Sequence, residues 1–298
     1  MQKGSLENWS PMLQLLLVVA IAVGSMILFM FLSLIPLFIF QGVDETLLSY
    51  TENSGVLRYM QIVQSIAVFI VPPLIAAYLF SQKPKNYLGL VNPKIILIFL
   101  AIVLFFISLP LISLLANVNN SLVFPEFLQS FEHKLRVMEE ANNNLVFKLL
   151  ETNNPIIILV NVFMIVIVPA FGEELFFRGT LQPLTCKIVK NNHIAVWLTA
   201  FIFAAIHLQF FTFLPRFILG ALLGYLFLYG KNIWYSIAGH SVNNLSSLVV
   251  FYYYRHFKPD INPMNPDVDD FGWLINTVSI VLIAMLFYCF YKYRKNSD

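Results

Sequence analysis

Residues 155–179 read PIIILVNVFMIVIVPAFGEELFFRG, an apolar run of seventeen residues that leads directly into two carboxylates and a guanidinium. A run of this length is close to what one crossing of a bilayer requires. An ionisable residue beside or inside such a run costs about 2.5–3.5 kcal/mol on insertion scales and is a candidate functional residue. This stretch therefore predicts a membrane helix with a polar site.

The composition of the whole chain favours a membrane protein. Of its 298 residues 59% are hydrophobic and 11% are charged, whereas about a quarter of the residues in a soluble domain are charged. This composition excludes a soluble globular enzyme, because the apolar surface is too large to bury. The net charge of +2, without a basic cluster, gives no sign of nucleic-acid binding. Two cysteines without CxxC spacing predict neither a metal site nor a disulfide.

Eight apolar runs are predicted to be transmembrane helices. We expect an all-α polytopic membrane protein whose residues 1–298 form a single membrane domain. The runs cover residues 12–40, 57–80, 94–116, 155–171, 194–209, 213–229, 233–254 and 271–291.

The charges of alternate loops predict the orientation, because cytoplasmic loops are enriched in Lys and Arg. With the N-terminus inside, the inner segments are mainly basic and include Lys83, Lys85 and Lys187. We expect both termini and the end of the fourth run, near Glu173, on the cytoplasmic side of what we expect to be a bacterial plasma membrane. The outer acidic residues include Asp44, Glu45, Glu52, Asp260, Asp267, Asp269 and Asp270.

The polar segment 117–154 is predicted to be extracytoplasmic and to contain an amphipathic helix. Its apolar residues recur at helical spacing and would share one face. We interpret it as a connector helix that packs on the bundle or lies on the membrane surface, with a substrate gate as the alternative. The residues of this stripe are Leu128, Phe131, Leu135, Met138 and Leu145.

The first polar group in the apolar runs is Glu173, Glu174 and Arg178. Glu174 and Arg178 are four residues apart, so on a helix they share a face and can pair. Glu173 is rotated from Glu174 by about 100° and is available as a base. The alternative interpretation is a charge network that only anchors the end of a helix.

The second group lies on two later runs. His207 follows Phe203 by four residues, and His240 and Asn244 share a helix face that Asn243 borders. Each of these residues alone is explained by packing or by interhelical hydrogen bonds. Polar sites on three separate helices of an otherwise apolar chain favour a functional cavity.

In order along the chain, EExxxR at 173–178, FxxxH at 203–207 and HxxxN at 240–244 resemble the CPBP family of intramembrane proteases. This family includes the CAAX prenyl endopeptidases of the Rce1 type and the bacteriocin-processing Abi relatives. The resemblance covers about 155–250, the expected catalytic core. It implies an endopeptidase that hydrolyses a peptide bond near the C-terminus or in a membrane-proximal segment of a peptide or protein, with or without a lipid modification.

By this resemblance, Glu173 and His207 activate the attacking water, and the charged pair next to Glu173 holds the site in shape. His240 and Asn244 form the oxyanion hole. These roles agree with general chemistry, because a carboxylate beside an imidazole acts as a base and fixed donors stabilise an oxyanion. No cofactor is expected.

Three alternatives stay open. One is a zinc-dependent version of the same protease, with the metal held by Glu173, His207 and His240, although Asn is a poor zinc ligand and no HExxH is present. Another is a non-catalytic membrane scaffold or a bacteriocin-immunity protein. A third is a small transporter that uses Glu173 and His207 as a proton relay. The expected partners are the substrate and membrane lipids.

Overall fold

The computed structural model describes residues 2–41, 53–264 and 271–295. Throughout these ranges the regular structure is helical, which confirms the all-α fold class. Several acidic residues of the predicted outer loops lie outside the described residues, namely Asp44, Glu45, Glu52, Asp267, Asp269 and Asp270.

The helices are numbered here in chain order. The first four are α1 (Pro11–Gln41), α2 (Ser54–Phe69), α3 (Val71–Phe80) and the one-turn α4 (Pro84–Tyr87). Then come α5 (Ile95–Asn120), a 3-10 turn (Glu126–Leu128) and α6 (Gln129–Leu150). The remaining helices are α7 (Pro155–Val162), α8 (Val168–Phe176), α9 (Gln182–Val189), α10 (Asn192–Ala205), α11 (Phe213–Gly230), α12 (Ile233–Phe257) and α13 (Gly272–Lys295).

Six helical stretches of the described chain are long and apolar enough to cross a membrane, so the chain is an integral membrane protein. Each of them contains or closely matches one of the predicted runs. They are Pro11–Ile39, Ser54–Phe80, Ile95–Asn120, Pro155–Val189, Phe213–Gly230 and Gly272–Tyr293.

The fifth and seventh predicted runs are helical but differ from the other six. Helix α10 has 14 residues and is about 21 Å long at 1.5 Å per residue, shorter than a hydrocarbon core of about 30 Å. Helix α12 has 25 residues, but His240, Asn243 and Asn244 interrupt its apolar sequence. Eight crossings with both termini inside therefore remain a prediction.

The fourth predicted run ends too early. We placed its end at Phe171, whereas the helix continues without a break from Pro155 to Val189. Glu173, Glu174 and Arg178 lie in the middle of this helix and not at its end. The boundary was wrong because a run was ended at its first charge, although two opposite charges on one helix face can stay buried as a pair.

The continuous helix contains two wide π turns, Phe163–Ile167 and Phe177–Leu181. Each closes with a bond over five residues, from Val168 N–H to the Phe163 carbonyl and from Gln182 N–H to the Phe177 carbonyl. A proline, Pro169 or Pro183, comes directly after each closing residue. Proline has no N–H and its ring crowds the preceding turn of a helix, so a widened turn lets the helix continue.

The chain divides into two compact units. Unit 1 contains Met1–Val91 and Lys148–Lys190, and unit 2 contains Asn92–Phe147 and Asn191–Asp298. In unit 1, α1 packs on α2, α3 and α9, and α2 packs on α8. The buried residues of one unit 1 cluster are Val18, Ala76, Leu79, Phe80 and Leu184.

Unit 2 is organised around α5, which packs on α11, α12 and α13, while α10 packs on α11. Gly220 allows the close approach of α10 and α11, because a β-carbon there would lie 3.1 Å from Cδ1 of Phe203 and 3.2 Å from Cα of Ala200. The fully buried members of the core include Leu97, Leu104, Phe105, Leu223 and Phe290.

The predicted amphipathic helix is present as α6. Its apolar stripe is largely exposed, with Phe131, Met138 and Leu145 at 53%, 51% and 42%. The polar residues Arg136 and Glu139 instead contact the chain between α10 and α11. Amphipathic spacing identified the helix, but it did not show which face makes contact within the protein.

The packing at Gly239 gives a test of the fold. A β-carbon at this position of α12 would overlap the buried ring of Phe105 on α5. We expect Gly239→Ala to cost about 1–3 kcal/mol through overpacking and to lower the Tm of the protein in detergent. Gly24→Ala is the matched control, because nothing lies within 4 Å of the new methyl group. Equal Tm values for the two variants would contradict the α5–α12 contact.

Candidate active site

Glu174 and Arg178 form a buried ion pair in the continuous 155–189 helix. Oε1 of Glu174 lies 2.8 Å from Nη1 of Arg178, and the two side chains are 0% and 1% exposed. This confirms the pairing predicted from their spacing. Removing both charges from water costs free energy that their attraction offsets only in good geometry. The pair therefore fixes the local arrangement more than it stabilises the fold.

Close packing within unit 1 holds this helix against α2. A β-carbon at Gly172 would lie 3.0 Å from Cγ1 of Ile70 and 3.1 Å from Cβ of Phe69. The Phe69 ring also contacts the rings of Phe176, at 5.8 Å between centroids, and Phe177, at 6.3 Å. The residues on both sides of the two glutamates are thus immobilised by one neighbouring helix.

Glu173 differs from Glu174 in its surroundings. It is partly exposed, whereas Glu174 is fully buried. It also lies near enough to Arg178 for their charges to interact. Unit 1 therefore presents two adjacent glutamates: Glu174 is fully buried and ion-paired, and Glu173 is less buried as a residue, although its Oε2 is buried.

In unit 2, His207 lies in the turn that follows α10. Its Nδ1 is 2.8 Å from the carbonyl oxygen of Phe203. A carbonyl only accepts hydrogen bonds, so Nδ1 carries the proton and donates it. In the neutral imidazole Nε2 then holds the lone pair. The FxxxH spacing thus places His207 within hydrogen-bond distance of the Phe203 carbonyl, and this carbonyl selects the tautomer that is protonated on Nδ1.

The ring of Phe203 contacts both histidines of unit 2. Its centroid lies 5.2 Å from that of His207 and 5.9 Å from that of His240, with the ring edges directed at faces in both cases. Phe203 is 2% exposed and His240 is 3% exposed. One buried aromatic residue therefore sets the positions of two imidazoles that lie 33 residues apart in the sequence.

Asn244 lies one helical turn beyond His240 on α12. Nδ2 of Asn243 donates to Oδ1 of Asn244 at 3.2 Å. In this orientation the Asn244 amide directs its own Nδ2 hydrogens away from Asn243. His240 and Asn244 are both side chains with N–H donors on one helix face, as predicted.

Arg58 is a buried polar residue that the sequence analysis missed. Its Nε donates to the carbonyl of Leu149 at 3.0 Å and to Oδ1 of Asn161 at 2.9 Å. A cation at the last carbonyls of α6 is favourable, because they carry the negative end of the helix dipole. Arg58 lies inside the run 57–80, so the search for ionisable residues in apolar runs should have found it. The same holds for Arg216 in the run 213–229.

A zinc site needs several His, Cys, Asp or Glu side chains close together. Across the ranges that the structure describes, no group of three or more His, Cys, Asp or Glu residues is arranged to hold a metal ion. Neither unit by itself thus supports the zinc alternative.

Comparison with known families bears on the class of this protein. Residues 155–246 match the family model described as type II CAAX prenyl endopeptidase Rce1-like. These residues form an Rce1-like domain. The match contains all three motifs and spans a little under a third of the chain. It confirms the predicted resemblance and the peptidase class. No curated protein and no solved structure is significantly similar to the chain.

The buried ion pair gives a stability prediction. Glu174→Gln removes the carboxylate that lies 2.8 Å from the buried Arg178 guanidinium, and we expect the loss of this buried pair to cost about 3–5 kcal/mol. Chemical denaturation in detergent measures the loss. Replacing both residues, Glu174→Gln with Arg178→Gln, should recover part of it.

The matched control is Glu132→Gln in α6. Glu132 and Arg136 have the same spacing and the same 2.8 Å distance, but Arg136 is 40% exposed. Exposed pairs contribute little, so this variant should lose much less stability. Equal losses for the two glutamine variants would show that burial does not determine how much an ion pair contributes to the free energy of unfolding.

Proposed function

We propose that this chain is an intramembrane endopeptidase, in which a carboxylate group at Glu173 and a histidine group at His207 and His240 serve the hydrolysis of one peptide bond. The observation that carries the proposal is the Nδ1 contact of His207 with Phe203, which makes Nε2 a proton acceptor. The family match, which contains the residues of both groups, supports the same conclusion.

In the proposed reaction, a water molecule attacks the carbonyl carbon of the scissile peptide bond. Glu173 and Nε2 of His207 accept hydrogen bonds from this water, and one of the two takes up the single proton that the water loses. Hydrogen bonds from His240 and Asn244 stabilise the negative charge that forms on the carbonyl oxygen. The C–N bond then breaks, and the proton passes to the leaving amine. Glu174 and Arg178 fix the helix that presents Glu173.

The proposed substrate is a peptide or protein segment near a C-terminus or close to the membrane. The matching family model is described as a CAAX prenyl endopeptidase, and six helices of the described residues are long and apolar enough to cross the bilayer that would hold a prenyl group. We propose that the substrate approaches from the cytoplasmic side and that the chain crosses the membrane eight times with both termini in the cytoplasm.

Two substitutions test the catalytic proposal. We expect Glu173→Gln to lower kcat for cleavage of a prenylated CAAX peptide by at least about a hundredfold, because loss of a general base costs 10²–10⁴-fold. His207→Ala should cause a loss of similar size. The measurement is product formation by purified protein in detergent or liposomes.

His133→Ala is the control for general effects of losing a histidine, since His133 lies exposed on α6. It should retain full activity. Full residual activity of both Glu173→Gln and His207→Ala would exclude the mechanism. A wild-type chain that binds such peptides and cleaves none would favour the scaffold alternative.

Cysteine labelling tests the orientation. In a variant in which Cys186 and Cys289 are replaced, we expect Lys190→Cys to react with an impermeant maleimide only from the cytoplasmic side. Lys258→Cys should react only from the outside. This pattern follows if α10 and α12 both cross the bilayer. Labelling of both positions from the same side would show that the chain crosses the bilayer an even number of times between residues 190 and 258.

A further inference from the structure

The turn 206–212, which carries His207, has a strained backbone. Leu208, the residue directly after the histidine, has φ of +53°. Residues other than glycine rarely adopt this left-handed backbone conformation. It persists only where neighbouring groups hold the chain in place. The local backbone bonds are His207 N–H to Ala204 and Leu208 N–H to Ala205, at 3.3 and 3.1 Å, and Phe213 N–H to Phe210 at 3.2 Å. Between these bonds, contacts from other helices also fix the turn.

Glu139 of α6 provides such contacts. Its Oε2 accepts a hydrogen bond from the backbone N–H of Phe211 at 3.0 Å, and its Oε1 accepts one from the Thr212 hydroxyl at 3.4 Å. Glu139 is 8% exposed. The bond from the Phe211 N–H has an ordinary length and the one from the Thr212 hydroxyl is long, so this buried carboxylate restrains the turn mainly at the Phe211 backbone.

The contact continues toward α11. Nη1 of Arg216 donates to the same Thr212 hydroxyl that donates to Glu139. The three groups form a chain in which each hydrogen bond polarises the next. Arg216 is also near enough to His207 for their charges to interact. The buried carboxylate is thus connected to the surroundings of the imidazole through two side chains.

Two further residues hold the same turn. Asn119 of α5 donates from Nδ2 to the Phe210 carbonyl at 3.0 Å and accepts the Leu214 N–H on Oδ1 at 2.6 Å. The guanidinium of Arg136 lies over the ring of Phe211 at 3.8 Å.

Glu132 in turn holds Arg136 through an ion pair. Hydrogen bonds from the Phe124 N–H and the Arg136 guanidinium keep the pKa of the Glu132 carboxyl below its usual range. Every one of these contacts lies within unit 2.

We propose that Glu139 is a positioning residue for His207. The carboxylate fixes the strained turn so that the imidazole keeps its hydrogen bond to Phe203 and directs Nε2 at the reacting water. The amphipathic helix α6 is therefore part of the catalytic apparatus, although it contributes no group to the reaction. This inference rests on the proposed function, because a positioning role requires a reaction.

The first test separates positioning from folding. We expect Glu139→Ala to lower kcat by about ten- to hundredfold, because small displacements of a catalytic group have effects of this size, while KM changes by less than about twofold. Glu139→Gln keeps the shape of the side chain and one hydrogen-bond acceptor, so its kcat should fall less. Thr212→Val removes the hydroxyl between Arg216 and Glu139, and its kcat should lie between those of wild type and Glu139→Ala.

Glu140→Gln is the matched control, since Glu140 is the exposed neighbour on the same helix. It should retain wild-type kcat and Tm. If Glu139→Gln and Thr212→Val both fold and both keep wild-type kcat, the positioning role is overturned. Variants with a raised KM and an unchanged kcat would also overturn the positioning role.

A second readout does not depend on activity. ¹⁵N NMR of histidine-labelled protein, with His207→Ala used for assignment, reports which ring nitrogen is protonated. We expect the Nδ1–H form of His207 in wild type and in Glu140→Gln, and a mixture of tautomers in Glu139→Ala. An unchanged His207 signal in Glu139→Ala would refute the restraint. A wild-type protein without cleavage activity would refute the proposed function alone, and the NMR result would still decide whether Glu139 orients His207.

Discussion

A charge inside an apolar membrane helix is tolerated when an opposite charge neutralises it on the same helix face. The Glu174–Arg178 pair meets this condition at 2.8 Å with almost no exposure. Because the pair is internal to one helix, the helix runs on from Pro155 to Val189 and does not end at the first carboxylate. Glu173, on the adjacent position, is thereby placed on a rigid element with its side chain in another direction.

The histidine group is held in a different way. His207 is oriented by a backbone carbonyl of its own helix end and by the ring of Phe203, which also contacts His240. The strained residue Leu208 follows, and side chains of α5 and α6 restrain the chain beyond it. Ion pairing thus fixes the helix that contains Glu173, and packing with local hydrogen bonds fixes His207.

Much of the site was predictable from spacing. The positions of Glu174 and Arg178 gave their pairing, and the motifs gave the family and the peptidase class. The length of the 155–189 helix was not predictable from hydropathy. A hydropathy count scores each charged residue as unfavourable in a membrane helix, even when the charge is paired, and so ends the predicted helix too early. Glu139 was missed since its partner Phe211 is 72 residues away along the chain. Short-range periodicity contains no information on such a contact, and for α6 it identified the exposed face only.

The central claim is the proposal that Glu173 and His207 serve the same reaction, and a double-mutant cycle tests it most directly. Cleavage rates are measured for Glu173→Gln, His207→Ala and the variant with both changes. Residues that act as one catalytic unit are strongly non-additive, so the double variant should lose about as much as either single variant. Losses that multiply, as for two independent sites, would contradict the claim.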